Sequence, residues 1–211
     1  MRRLPAALSA LSLLLGVGCG EPDAVEPAPT PCPTASSAYA TAVAESWIPA
    51  CSLAQNIYND PLKALGRADA AGSGPRNYTG FVSLGFGGHV TLDLGGCVAD
   101  QAGNDIRVYQ AVSGEPVSVY VSTSVDGPFT LISPFFHGCG DQWVPGQRQR
   151  GYCDFDLTPA GVTQARYIRV EDAELYPCPG GTPSEGADLD AVQALAVSSA
   201  VGSAGDGGLS R

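Results

Sequence analysis

Histidine and positive charge are scarce in this chain. Of 211 residues only His89 and His137 are histidines. A His-Glu-x-x-His zinc site is therefore impossible, and a Ser-His-Asp triad would have to recruit one of those two. No Gly-x-Ser-x-Gly elbow occurs: Ser83 has Gly85 after it but Phe81 two before. Eleven Lys and Arg stand against 21 Asp and Glu, a formal charge of −10. That sign is wrong for phosphate backbones, whose attraction to basic residues supplies most nucleic-acid affinity. Nucleic acid and anionic headgroups are poor partners for the same reason, while divalent cations and neutral ligands such as sugars stay open. Past residue 17 there is no long uncharged apolar stretch, and no internal repeat.

The one apolar run, Leu4 to Val17, follows Arg2 and Arg3 and ends in Gly18, Cys19 and Gly20. At about 14 residues it falls short of the roughly 20 that cross a bilayer as a helix. It reads as a signal peptide over 1–18. Leu15-Gly16-Val17-Gly18-Cys19 resembles the lipobox of bacterial lipoproteins, with Gly16 where a larger aliphatic is usual. The other reading is an ordinary secretory signal that happens to contain a cysteine. The lipobox resemblance implies acylation at Cys19, and Gly20 after it implies an outer-membrane lipoprotein. The expected place is the bacterial cell envelope, with membrane contact through the N-terminal lipid alone. Losing Arg2 and Arg3 leaves nine basic against 21 acidic residues.

Cysteine parity supports acylation. With Cys19 set aside, Cys32, Cys51, Cys97, Cys139, Cys153 and Cys178 make an even six, which suits three disulfides in an oxidising compartment. Six cysteines allow 15 connectivities. The expected pairs are Cys32–Cys51, Cys139–Cys153 and Cys97–Cys178, of which Cys139–Cys153 closes a short loop leading into a strand. Such a closure is worth about 3 kcal/mol in the chain-entropy description. Pro22, Pro27, Pro29, Pro31 and Pro33 mark 19–38 as an extended spacer. Ser198 to Arg211 is Gly, Ser and Ala, read as a disordered tail. One domain, 39–197, lies between them.

That domain reads as all-β. Period-two alternation places Val90, Leu92 and Leu94 on one face, then Ile106 and Val108, then Val117, Val119 and Val121. Phe155 and Leu157 alternate with Asp154 and Asp156, and Ile168 and Val170 with Tyr167, Arg169 and Glu171. Breaks are expected at Gly87-Gly88, Gly95-Gly96, Gly103-Asn104, Gly114, Asp126-Gly127 and Gly180-Gly181. With 27 Gly and 17 Pro, many short strands in a sandwich or jelly roll fit best. Leu189, Val192 and Leu195 or Ala196 leave 189–197 open between strand and helix, and a short helix is expected around Pro61 to Leu65. His89 is expected on the solvent side of its strand, and Trp47 beside Ile48 in the packing.

Several segments follow one another in a meaningful order. They are Asn59-Asp60-Pro61 with Lys63-Ala64-Leu65-Gly66, Phe81 to Gly88, Val90 to Gly95, Asn104 to Tyr109, Val117 to Ser122, Ser124 to Phe129, Arg166 to Val170 and Ala187 to Val192. Together they resemble bacterial secreted cell-surface proteins that carry a galactose-binding, discoidin-like jelly roll, over roughly Asn59 to Val197. The chain departs from that pattern in a cysteine-bearing insertion, Pro134 to Tyr152, and at Ala187, where relatives often have an aromatic. The resemblance implies a structural calcium near Leu65-Gly66-Arg67-Ala68-Asp69, with Asp69 as a ligand. Acidic Asp188, following a Gly- and Pro-rich turn, is the second candidate.

Sugar recognition uses exposed rings and a few polar groups. Phe136, His137, Trp143 and Arg148 in the insertion, with Tyr78 in another loop, are the expected ligand residues. The alternative for Phe135, Phe136 and Trp143 is a satellite cluster beneath their own loop. His137, Cys139 and Asp141 do not read as a zinc site, because such a cysteine is expected in a disulfide. The leading expectation is a non-catalytic surface lipoprotein that binds carbohydrate or another surface partner. A small hydrolase using Asp154/Asp156 or Asp188/Asp190, about 7 Å apart along a strand, is one alternative. A purely structural envelope protein is another.

Overall fold

The structure, a computed structural model, describes residues 32–49, 57–71, 79–134, 137–138, 142–143, 151–173 and 186–195. The segment read as a signal peptide, Cys19, the segment to Pro31 read as a spacer, Cys51, Tyr78, Phe136, Cys139, Arg148, Cys178 and residues 198–211 lie outside them. Among the described residues eleven strands are formed: β1 (Ala42–Trp47), β2 (Val82–Ser83), β3 (His89–Ala99), β4 (Ile106–Gln110), β5 (Pro116–Ser122), β6 (Thr130–Leu131), β7 (His137–Gly138), β8 (Gln142–Trp143), β9 (Gly151–Phe155), β10 (Gln164–Asp172) and β11 (Asp188–Ala194). They make two antiparallel sheets, one in the order β1-β3-β10-β5-β6 with β7 also on β5, the other β2-β11-β4-β9-β8. From β3 to β5 and from β9 to β11 the chain changes sheet at each strand. The result is a jelly-roll sandwich. No described helix is long and apolar enough to cross a membrane.

Alternation builds the core. Val90, Leu92, Leu94, Val117, Val119, Val121, Ile168 and Val170 from the first sheet meet Ile106, Val108, Phe155, Leu189 and Val192 from the second, all buried. Each such side chain removed from water contributes about 1.5–3 kcal/mol. The helix expected near Pro61 is a single 3₁₀ turn, Pro61–Ala64, started by Asp60, whose Oδ1 accepts from the Leu62 N–H at 3.1 Å. The ambiguous stretch is a strand as far as Ala194. A bulge between Leu189 and Ala191 adds one residue, so the core residues Leu189 and Val192 fall three apart and imitate helical spacing.

Two expectations are corrected at the start of the domain. Residues 32–38 belong to the packed unit, which begins at Cys32. The Ala35 N–H donates to the Cys97 carbonyl at 2.9 Å and the Cys97 N–H to the Pro33 carbonyl at 2.6 Å. Further on, the Ala40 N–H reaches the Val192 carbonyl, so the segment passes from one sheet to the other. Proline does not prevent this, because edge pairing needs only carbonyls at Pro33. Nor does Gly95-Gly96 end β3, which runs on to Ala99. Gly95 has φ +73, and a Cβ at Gly96 would lie 2.7 Å from the Pro33 carbonyl oxygen and the Ala35 Cα. These glycines admit the N-terminal segment to the strand.

That approach fixes a disulfide. Cys32 pairs with Cys97, their Cα atoms 5.7 Å apart, and so neither the Cys32–Cys51 nor the Cys97–Cys178 pairing holds. Thr34 bridges Cys97 in parallel, which carries Cys32 to that end of β3. Cys153 is also disulfide-bonded. Its expected partner, Cys139, lies outside the described residues.

Candidate functional site

The outer face of the first sheet is set by another bulge. β1 pairs with β3 through Ala42–Asp93 and Val43–Leu92, then slips one residue, so Glu45 faces Thr91 and Trp47 faces His89. Val43 therefore turns inward while Glu45 and Trp47, of the same parity, turn outward. The expectation that Trp47 packs is corrected: it is 54% exposed, and its neighbour Ile48 packs against the core instead. Across the strands, register aligns Trp47, His89, Glu171 and Ser118 in one row, and Glu45, Thr91, Arg169 and Tyr120 in the next.

These rows hold a connected polar set. Arg169 Nη2 donates to Glu45 Oε2 at 2.6 Å and its Nε to Thr91 Oγ1 at 3.0 Å. The same guanidinium lies 4.2 Å from the centre of the Phe129 ring. His89, as expected, is on the outer face, with its ring 6.1 Å from that of Trp47. His89 Nε2 has no hydrogen-bond partner, and Glu45 Oε1 stands 3.8 Å away, beyond bonding distance. One row further, Arg166 makes two bonds to Asp93, 2.9 and 2.8 Å, beside Tyr167. That contact holds the Asp93 carboxyl below its ordinary pKa, chiefly through the Arg166 hydrogen bonds.

The outer face of the second sheet differs in being already satisfied. Register places Arg107 opposite Asp154 and Tyr109 opposite Tyr152. The Arg107 guanidinium bonds Asp154 twice and sits 3.9 Å from the Tyr152 ring centre. The Tyr109 hydroxyl donates to Gln193 Oε1 at 2.8 Å. Burial first, then Tyr109 beside it, pushes the Tyr39 phenol up.

The sequence-derived ligand residues divide. His137 in β7 pairs with Val117 of the first sheet, whereas Trp143 in β8 pairs with Gly151 of the second. The insertion thus joins the edges of both sheets. Trp143 is not on the strand row of His137, and Phe136, Arg148 and Tyr78 are outside the described residues. Glu45, Arg169 and Phe129 were not singled out by sequence, since nothing local marks the bulge that gathers them.

Acids elsewhere are arranged for structure or for cations. Asp100, Asp105 and Asp156 place one oxygen each within 4.8 Å of one another and can hold a metal ion. Asp105 is buried, its carboxyl raised by that burial against hydrogen bonds from the Leu157 and Gln101 N–H groups. Asp69 is exposed. Its N–H and that of Ala70 donate to Oδ1 of buried Asp190, at 2.9 and 3.1 Å. The buried Asp188, two residues earlier, donates its N–H to Glu115 Oε2 at 2.8 Å. Of the acid pairs weighed for hydrolysis, Asp154 is held on both oxygens by Arg107, and Asp190 accepts two backbone N–H groups.

No family model matches the chain, and no curated protein does. Among solved structures, one described as the CBM32 of AlyQ in complex with 4,5-unsaturated mannuronic acid is similar. The two share 14% identity with a TM-score of 0.38, over 74% of this chain and 94% of that one. Likeness at that level leaves function to be argued from the residues of this chain.

Proposed function

We propose that the domain is a non-catalytic carbohydrate-binding module held at the bacterial envelope by a lipid on Cys19. The observation that carries the reading is the half-exposed Trp47 indole beside the His89 ring, with Glu45 and Arg169 in the next row. An open indole offers a face for the C–H side of a sugar ring, and a carboxylate and a guanidinium serve its hydroxyls. A glycan array probed with the oxidised mature domain tests this. Wild type should bind a defined subset of glycans, and Trp47→Ala, which removes an exposed ring without touching the core, should lose them. An empty array, or one unchanged by Trp47→Ala, sinks the reading and leaves a protein partner or a structural role. Cys19→Ser should move the protein from the membrane to the soluble fraction.

A structural calcium is part of the proposal. The oxygen donors at Asp69 suit calcium, with Asp190 and the earlier candidate Asp188 on the neighbouring strand, and the Asp100, Asp105 and Asp156 cluster suits it as well. Melting of chelated protein with added calcium tests both. A rise abolished by Asp69→Asn assigns the first, one abolished by Asp156→Asn the second, and no rise removes the ion.

A further inference from the structure

We infer that the outer face of the first sheet binds an uncharged oligosaccharide stretch laid across the strands from Trp47 toward Phe129, rather than a single sugar or an acidic one. This rests on the carbohydrate-binding reading and specifies its ligand.

Geometry sets the length. Trp47 is on β1, the last strand of its sheet, and Arg169, which carries Phe129 against it, is on β10, two strands in. With strands about 4.8 Å apart and a step of two residues along them, the backbones of Trp47 and Arg169 are roughly 12 Å apart. A face that runs from the one to the other is longer than a single sugar ring. Glu45 and Arg169 fill the interval with hydroxyl-directed groups.

Electrostatics sets the charge. Each guanidinium on this face already has a carboxylate, Glu45 on Arg169 and Asp93 on Arg166. Glu171 adds a further acid in the row of Trp47 and His89, and the whole chain carries −10. An acidic sugar would have to displace Glu45 from Arg169 while facing Glu171. A neutral hydroxyl can donate to Glu45 and accept from Arg169 at once, without breaking either pair.

Affinity electrophoresis of the oxidised mature protein in gels containing β-1,4-glucan, β-1,4-galactan, β-1,4-mannan, alginate or polygalacturonate gives the first test. Calorimetry with the mono- to hexasaccharides of the retarding polymer gives the second. At least one neutral polymer should retard the protein and the two acidic ones should not. Affinity should rise at least tenfold from monosaccharide to tetrasaccharide and change less than twofold between 50 and 500 mM NaCl. Phe129→Leu should remove most of that rise while sparing monosaccharide binding, and Trp47→Ala should weaken every length; unchanged melting temperatures certify both variants as folded. A monosaccharide that binds as tightly as the tetrasaccharide, or retardation by the acidic polymers alone, overturns the inference while the carbohydrate reading stands. No retardation in any gel, with an empty glycan array, overturns both.

Discussion

Asp154 stands directly opposite Arg107 in the register of β9 and β4, and both its oxygens accept from that guanidinium, at 2.6 Å from Nε and 2.7 Å from Nη2. The Tyr152 ring, diagonal to Arg107 in the ladder, closes the guanidinium from its flat side at 3.9 Å. The hydrogen bonds to Asp154 are the main reason the Arg107 pKa lies above its ordinary value. Both side chains are largely shielded, so the pair is worth more than a surface ion pair.

Asp154→Ala leaves that guanidinium covered by an aromatic ring with no counter-charge. Stability should fall by about 2–3 kcal/mol, read as a lower urea midpoint at unchanged slope. Glycan affinity should not move, because Trp47 and Arg169 are on the opposite sheet. An unchanged midpoint would show that the pair adds nothing.

Asp93 gives the domain a defined acid limb. Its carboxyl is held low in the folded state, first by the Arg166 hydrogen bonds. A depressed folded value means stability that is present above the unfolded value, about 4, and is lost as pH falls through the folded one. Wild type should therefore exceed Asp93→Asn in melting temperature at pH 7, with the gap narrowing below pH 4 and closing at lower pH. A gap constant from pH 7 to pH 2.5 would exclude the linkage.

The Cys32–Cys97 bond closes a loop across 65 positions. Chain-entropy arguments give a closure of that length about 4 kcal/mol. Peptide mapping without reduction should recover Cys32 joined to Cys97, and the paired Cys32→Ser, Cys97→Ser variant should unfold at markedly lower guanidinium concentration. Recovery of a Cys32–Cys51 peptide would contradict the packing of Ala35 against β3.

Strand faces were legible because alternation is local: Val117, Val119 and Val121 are buried wherever their sheet packs. Bulges are what defeated the reading. One extra residue at Leu189–Ala191 mimicked helical spacing, and one between Val43 and Glu45 turned Trp47 outward. The disulfide was illegible for a related reason. Its partner was chosen by a long-range contact of Pro33 and Ala35 with β3, and proline-rich composition gives no sign of that contact. The candidate site combines both failures, since Glu45 and Trp47 reach it only through a bulge and Arg169 and Phe129 only through strand order.

Gly88 offers a test of how that site is anchored. It immediately precedes His89, its N–H donates to the Gly85 carbonyl at 3.0 Å, and its own carbonyl accepts from the Asp172 N–H at 2.9 Å. A Cβ at Gly88 would run into the Leu84 carbonyl oxygen and meet Pro49 Cδ at 2.9 Å, and a backbone oxygen cannot step aside as a flexible side chain would. Gly87 has open space around it and only the strain of φ +71. Gly87→Ala should therefore cost about 1–2 kcal/mol, the ordinary penalty of a left-handed residue. Gly88→Ala should cost more, overpacking adding about 1–3 kcal/mol to a displaced strand start, and should weaken glycan binding because His89 moves with it. Equal losses in the two variants, or a Gly88→Ala protein that binds as wild type does, would mean that β3 begins without the close contact at Leu84.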